Sequence, residues 1–245
     1  MAVADSPLFW FLAISGVVLT GVSKSGFAGG AGVVAVPLLS LVMPVQQAAA
    51  LMLPLLLVMD ANSVRLYRRS INLLEIRAIG LAALAGIALA GTAMGSLSSN
   101  SLQWILALFC IAFASWQQLT PLLGKLPGAA YIWGTFSGVS STLLHAGGPP
   151  ISIYFLSQGI SKKVWLAQAA VFFAMMNVVK LIPYSLNDVW SLEYLLLDVV
   201  MLPFAIAGVY LGYKIQAYLS ESIFTLSCRI LLGLTGMLLL LKVLF

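Results

Sequence analysis

His145 is the only histidine in the 245 residues, and it opens a glycine-rich break, His145-Ala146-Gly147-Gly148-Pro149-Pro150. Lys24 stands beside a second such break, Lys24-Ser25-Gly26-Phe27-Ala28-Gly29-Gly30-Ala31-Gly32. Both lie between long apolar stretches, and an ionisable residue in that setting marks a functional site by default. An ammonium at Lys24, with Ser25 next to it, attracts an anion; the alternative is that Lys24 snorkels to a headgroup region. His145 either hydrogen-bonds a substrate, takes up a proton near neutral pH, or serves the turn structurally. Gly29, Gly30, Gly147 and Gly148 let the backbone turn tightly and approach a ligand. A helix that starts after such a turn exposes unpaired N–H groups and the positive end of its dipole, and Pro149-Pro150 suits a helix start. Two such N-termini meeting from opposite sides make an anion site; the plainer reading is that the glycines only permit close packing.

Three further polar positions interrupt apolar runs. Asp60 lies five residues before Arg65, so it either pairs with Arg65, reaches the cytoplasmic interface, or couples proton movement to transport. Asn62-x-x-Arg65 recurs as Asn177-x-x-Lys180, a shift of 115. The two asparagines either line a pathway or clamp a helix to a hairpin, and Arg65 and Lys180 are candidates for pathway or coupling residues. The spacing of the two cysteines and the one histidine fits no metal site, and nothing calls for a cofactor.

The elements that carry these residues are membrane helices. The chain is 62% hydrophobic and 8% charged, against about 25% charged in a soluble domain, and its mean hydropathy is +1.07. A soluble globular protein is excluded. The net charge of +5 fits basic cytoplasmic loops and not nucleic-acid binding. Met1 to Pro7 lacks a basic n-region, so the first helix is expected to be retained. A G-x-x-x-x-G-K-[ST] motif is absent, which argues against ATP hydrolysis by this chain.

Ten helical segments are expected: Leu8–Thr20, Gly32–Met43, Gln47–Tyr67, Leu74–Leu97, Leu102–Leu119, Ala129–Leu143, Pro150–Gln158, Lys163–Tyr184, Leu192–Tyr213 and Ser222–Leu244. The short ones at each glycine break form hairpins, re-entrant or spanning. The halves echo one another. Gly21-Val22-Ser23 recurs as Gly138-Val139-Ser140, Gly91-x-x-x-Gly95 as Gly208-x-x-x-Gly212 (both shifted by 117), and Cys110 as Cys228. Repeat one covers about 8–120 and repeat two about 129–245, within one multi-pass membrane domain. Arg65, Arg68, Arg69, Arg77, Lys125, Lys162, Lys163 and Lys214 mark the cytoplasmic side. The hairpins then enter from opposite faces, the N-terminus lies outside, and the repeats are inverted, the arrangement of many transporters. Trp10, Trp104, Trp133, Trp165 and Trp190 fall near segment ends, as in an interfacial belt.

The pattern Gly26-Phe27-Ala28-Gly29-Gly30-Ala31-Gly32 followed by Val36-Pro37-Leu38-Leu39, its second copy Ala146-Gly147-Gly148-Pro149, and Gly208-x-x-x-Gly212 resemble the sulfite exporter TauE/SafE family over essentially the whole chain. The resemblance implies export of sulfite, sulfoacetate or a related sulfur-containing anion across the inner membrane. The expected protein is therefore a secondary transporter working by alternating access, with the anion bound near the midplane at the two breaks. The alternatives are an anion channel or uniporter, an importer of another small organic anion, a structural subunit, or, remotely, an intramembrane enzyme using Ser23 or Ser140 with His145. Lipid and the anion are the partners, and the sequence leaves the oligomeric state open.

Overall fold

The computed structural model describes residues 6–27, 34–115, 123–216, 218 and 220–244, the side chains of residues 113, 156, 221, 224, 225, 227, 228 and 231 excepted. Ten α-helices occupy them: α1 (Pro7–Gly26), α2 (Ala35–Ser40), α3 (Val45–Tyr67), α4 (Leu73–Met94), α5 (Ser99–Ser115), α6 (Ala129–Leu144), α7 (Gly148–Ser157), α8 (Lys162–Leu186), α9 (Leu192–Ile215) and α10 (Glu221–Leu244). A 3-10 turn, Arg68–Ser70, follows α3. The described residues are all-helical, and among them five stretches are long and apolar enough to cross a bilayer: Pro7–Gly26, Val45–Ser70, Leu73–Met94, Lys162–Leu186 and Leu192–Ile215. The outer helices turn apolar side chains outward. Leu192, Leu196, Val199 and Val200 on α9 and Ile230, Leu234, Met237 and Leu241 on α10 are more than half exposed, a surface that only lipid covers favourably.

Two pairs of helices pack through glycines. Gly21 of α1 faces Ala205, Gly208 and Val209 of α9, and Gly26 faces Gly212. Gly134 of α6 faces Ile79 and Ala82 of α4, and Gly138 faces Ala83 and Gly86. The register advances in the same sense along both partners, so α1 runs parallel to α9 and α4 parallel to α6. A Cβ added at Gly138 would lie 2.2 Å from the Ala83 carbonyl oxygen, so only glycine admits this approach. This explains why α1 runs six residues past the expected end at Thr20: glycines that read as a break sit inside a helix because α9 needs them there. The same contacts revise one correspondence. Gly208 packs on Gly21, whereas Gly91 faces Pro183 and Gly95 faces Asn187; the glycine of α4 in the comparable contact is Gly86.

Both hairpins differ in detail from expectation. Gly29, Gly30 and the rest of 28–33 lie outside the described residues, and α2 is only the six residues Ala35–Ser40. In the second hairpin the left-handed residue is His145, at φ 50° and ψ 31°, while Gly147 is right-handed. Gly147 is required for space, since a Cβ there would lie 2.8 Å from the Ser141 Cβ and 2.9 Å from the Ser137 hydroxyl. The belt of tryptophans is also only partial, because Trp133 and Trp165 are buried among helices.

The central element is α3. It contacts both hairpins as well as α5, α8 and α9, and Leu51, Met52, Leu53, Leu55 and Leu56, with Met59, Asp60 and Ser63, are buried.

A candidate anion site between two hairpins

The polar groups buried at the centre come from four helices. Lys24, in the last turn of α1, forms an ion pair with Asp60 of α3. Asn177 of α8 donates from Nδ2 to the other Asp60 oxygen at 2.5 Å. Asp60 is only 2% exposed, and each of its oxygens has a partner. Lys24 also sits 5.0 Å above the Phe173 ring. The expected pairing of Asp60 with Arg65 is not found: Arg65 is exposed and lines a recess at the end of α3.

Lys180 of α8 is fully buried. Its ammonium donates to the Ser141 carbonyl at 3.1 Å, the Ser141 hydroxyl at 3.0 Å and His145 Nδ1 at 2.8 Å. Three hydrogens go to three neutral acceptors, so its charge has no carboxylate against it. The partners also assign the histidine tautomer. Nδ1 accepts from Lys180, so the proton is on Nε2, which donates to the Ala49 carbonyl at 2.8 Å. His145 thus occupies its strained backbone conformation with both ring nitrogens engaged, and Tyr184 stacks on it at 6.0 Å.

A small cavity lies between these groups. Lys24, Ser141, His145, Gly148, Asn177 and Lys180 line it, with Phe173, Met52 and Leu56 as apolar wall. Its volume is about 30 Å³, room for about two waters. Two lysines and no carboxylate line it, and Asp60 offsets Lys24 from behind, so with Lys180 protonated the site would carry one positive charge in excess. Uncompensated charge buried away from water is costly, and an anion in the cavity would offset it. The ammonium groups are the main donors. Pro149 and Pro150 have no N–H, so the start of α7 contributes little beyond Gly148 and its dipole.

Other expected residues lie elsewhere. Asn62 donates to Val58 of its own helix and does not reach the cavity. Ser25 donates to Val209 at 2.6 Å and lies behind Lys24. Gly147 backs the turn, accepting from Ser137. Sequence reasoning missed Tyr67 and Tyr184. Tyr67 donates to the Ser25 carbonyl at 2.5 Å and Tyr184 to the Thr142 carbonyl at 2.8 Å. Both bonds span 42 residues, and they are related by a shift of 117. The same shift relates Asp60 to Asn177 and Ser63 to Lys180. The shift of 115 that aligned Asn62 with Asn177 and Arg65 with Lys180 does not reproduce these contacts. The pattern Asp/Asn-x6-Tyr, present in both halves, was the available signal.

Comparison with known proteins finds one relationship. The family model described as "TauE: Sulfite exporter TauE/SafE" matches residues 12–239. The comparisons with curated proteins and with solved structures returned no match.

Proposed function

This chain belongs to the sulfite exporter TauE/SafE family, and from that premise we propose that it exports sulfite or a closely related sulfur-containing anion by alternating access through the cavity between its hairpins. Membership makes it a multi-pass membrane protein of a transporter family for sulfur anions. The observation that carries the finer reading is the pair of lysines at the central cavity, Lys24 and Lys180, of which Asp60 pairs with only one.

In this reading the anion displaces one of the neutral acceptors of the Lys180 ammonium, with Lys24, Asn177 and the Gly148 N–H as further donors. Ser141 and His145 aim Lys180, so His145 is a positioning residue and not a proton carrier. Asp60 plays the same part for Lys24. The cavity is smaller than a hydrated sulfite, so loading requires a hairpin or the Lys24–Asp60 pair to move. Two inverted repeats supply the means. Support for them comes from the parallel pairs α1/α9 and α4/α6 and from the tyrosine bonds repeated 117 residues apart. Each tyrosine fastens the end of one hairpin helix, so releasing one at a time opens the cavity to one side. Efflux of a divalent anion from a negative-inside cell is favoured by about 2.3 kcal/mol per charge per 100 mV, so no coupled ion is required. An enzymatic reading is disfavoured because the His145 nitrogens face Ala49 and Lys180, not Ser23 or Ser140.

The test is sulfite affinity in nanodiscs for the unaltered protein and for Lys180→Gln. The substitution should weaken binding at least about tenfold, the equivalent of about 1.4 kcal/mol. Equal affinity in a folded variant would remove Lys180 from the site.

A further inference from the structure

Five cations converge on a second, wider recess. Arg65 closes α3, Arg68 and Arg69 form the 3-10 turn after it, and Lys162 and Lys163 open α8. The recess has a volume of about 750 Å³, and no Asp or Glu is among its lining residues; Tyr67, Tyr210, Tyr213 and Gln216 complete it. All five cations are exposed.

The general excess of basic residues on the cytoplasmic side explains their sign. It does not explain their convergence or two of their positions. Arg65, Arg68 and Arg69 sit at a helix C-terminus, where the dipole favours cations. Lys162 and Lys163 sit in the first turn of α8, where it disfavours them. Helix stability therefore gives no reason for these lysines. They add instead to the positive end of the α8 dipole, and both point to a negative occupant. Lys162 is also held in place, donating to the Gln216 carbonyl at 3.2 Å and lying 5.4 Å over the Phe27 ring at the end of α1.

Tyr67 links the recess to the chain beside the central cavity. Tyr67, only 5% exposed, donates to the Ser25 carbonyl at 2.5 Å and accepts from Gln216 Nε2 at 2.8 Å. Ser25 adjoins Lys24, which lines the central cavity. Tyr67 therefore lines the recess and is hydrogen-bonded to the residue next to a lysine of the central cavity.

We propose that this basic recess is a second oxyanion-binding site, in series with the central cavity and linked to it through Tyr67 and Ser25. The inference rests on the transport reading for its purpose: a cluster of like charges in a cleft raises the local anion concentration, here at the cytoplasmic mouth. Exposed charges are screened over about 10 Å at 0.1 M salt, so binding in the recess is salt-sensitive and binding in the buried cavity much less so.

Sulfite binding to protein in zwitterionic nanodiscs tests this by calorimetry at about 10 and 150 mM NaCl. The unaltered protein should show two components, one weakened by about tenfold or more at the higher salt. Arg68→Gln/Arg69→Gln/Lys163→Gln should lose that component and keep the other, and Lys180→Gln should do the reverse. A triple variant that keeps both components overturns the proposal, as does a salt-sensitive component absent from the unaltered protein. If only the salt-sensitive component is found, the recess stands and the transport reading falls. Repeating the titration with anionic phosphatidylglycerol in the disc identifies the source of the oxyanion. Suppression of the salt-sensitive component assigns the site to lipid headgroup phosphate, and its persistence assigns it to the free anion.

Discussion

Asp60 makes Lys24 tolerable inside the membrane. One carboxylate oxygen holds the Lys24 ammonium and the other accepts from Asn177, so neither charge is left bare. Removing one partner of a buried ion pair costs about 3–5 kcal/mol, whereas replacing both with apolar groups of similar size is often neutral. Asp60→Asn should therefore lower the melting temperature in detergent, and Lys24→Met/Asp60→Leu should recover most of the loss. Asp60→Asn melting like the unaltered protein would show that the pair is not a structural unit. The residue types alone single out Lys24, Asp60, Asn177, Lys180 and His145. Their partners were not legible. Nearness in sequence offers Arg65 as one possible partner for Asp60, but the lysine that pairs with it is 36 residues away, brought there only when α1 packs beside α3. The local geometry at His145 was hidden for a similar reason: glycines announce a turn, and the turn used the histidine.

At the scale of elements, helix ends and helix pairs were decided by contacts. Hydropathy gave ten segments, and ten helices are found among the described residues. The end of α1 was misplaced because glycine reads as a breaker, whereas in lipid it is the residue that lets two backbones touch. Gly138 is the sharpest case, with no space for a methyl group against Ala83. Gly138→Ala should force α4 and α6 apart and sharply reduce the yield of folded protein on size-exclusion chromatography. Gly233→Ala is the control, since its added Cβ would meet only the Ala114 Cβ at 3.4 Å, an ordinary contact. Equal yields would mean that the α4/α6 approach is looser than described.

At the scale of the molecule, the proposed function calls for two halves built alike and facing opposite ways. Sequence matches suggested the duplication with shifts from 115 to 118, and the side-chain bonds of Tyr67 and Tyr184 favour 117 for the central helices. The sequence blurred this because only a few polar positions repeat and the apolar background aligns almost as well at neighbouring shifts. Opposed orientation makes a definite expectation for labelling. Cysteine introduced at Ser99 or Asn187 should react with an impermeant maleimide from outside, and at Arg69 or Lys163 from inside. Reaction at position 69 from outside would reverse the orientation assigned to the basic recess.

The most direct test of the central claim is sulfite flux through liposomes containing only this chain, with sulfate, thiosulfate and sulfoacetate as competitors. The account expects saturable sulfite flux, driven by a sulfite gradient alone and inhibited selectively by some of these anions. Folded protein that moves none of them would contradict it.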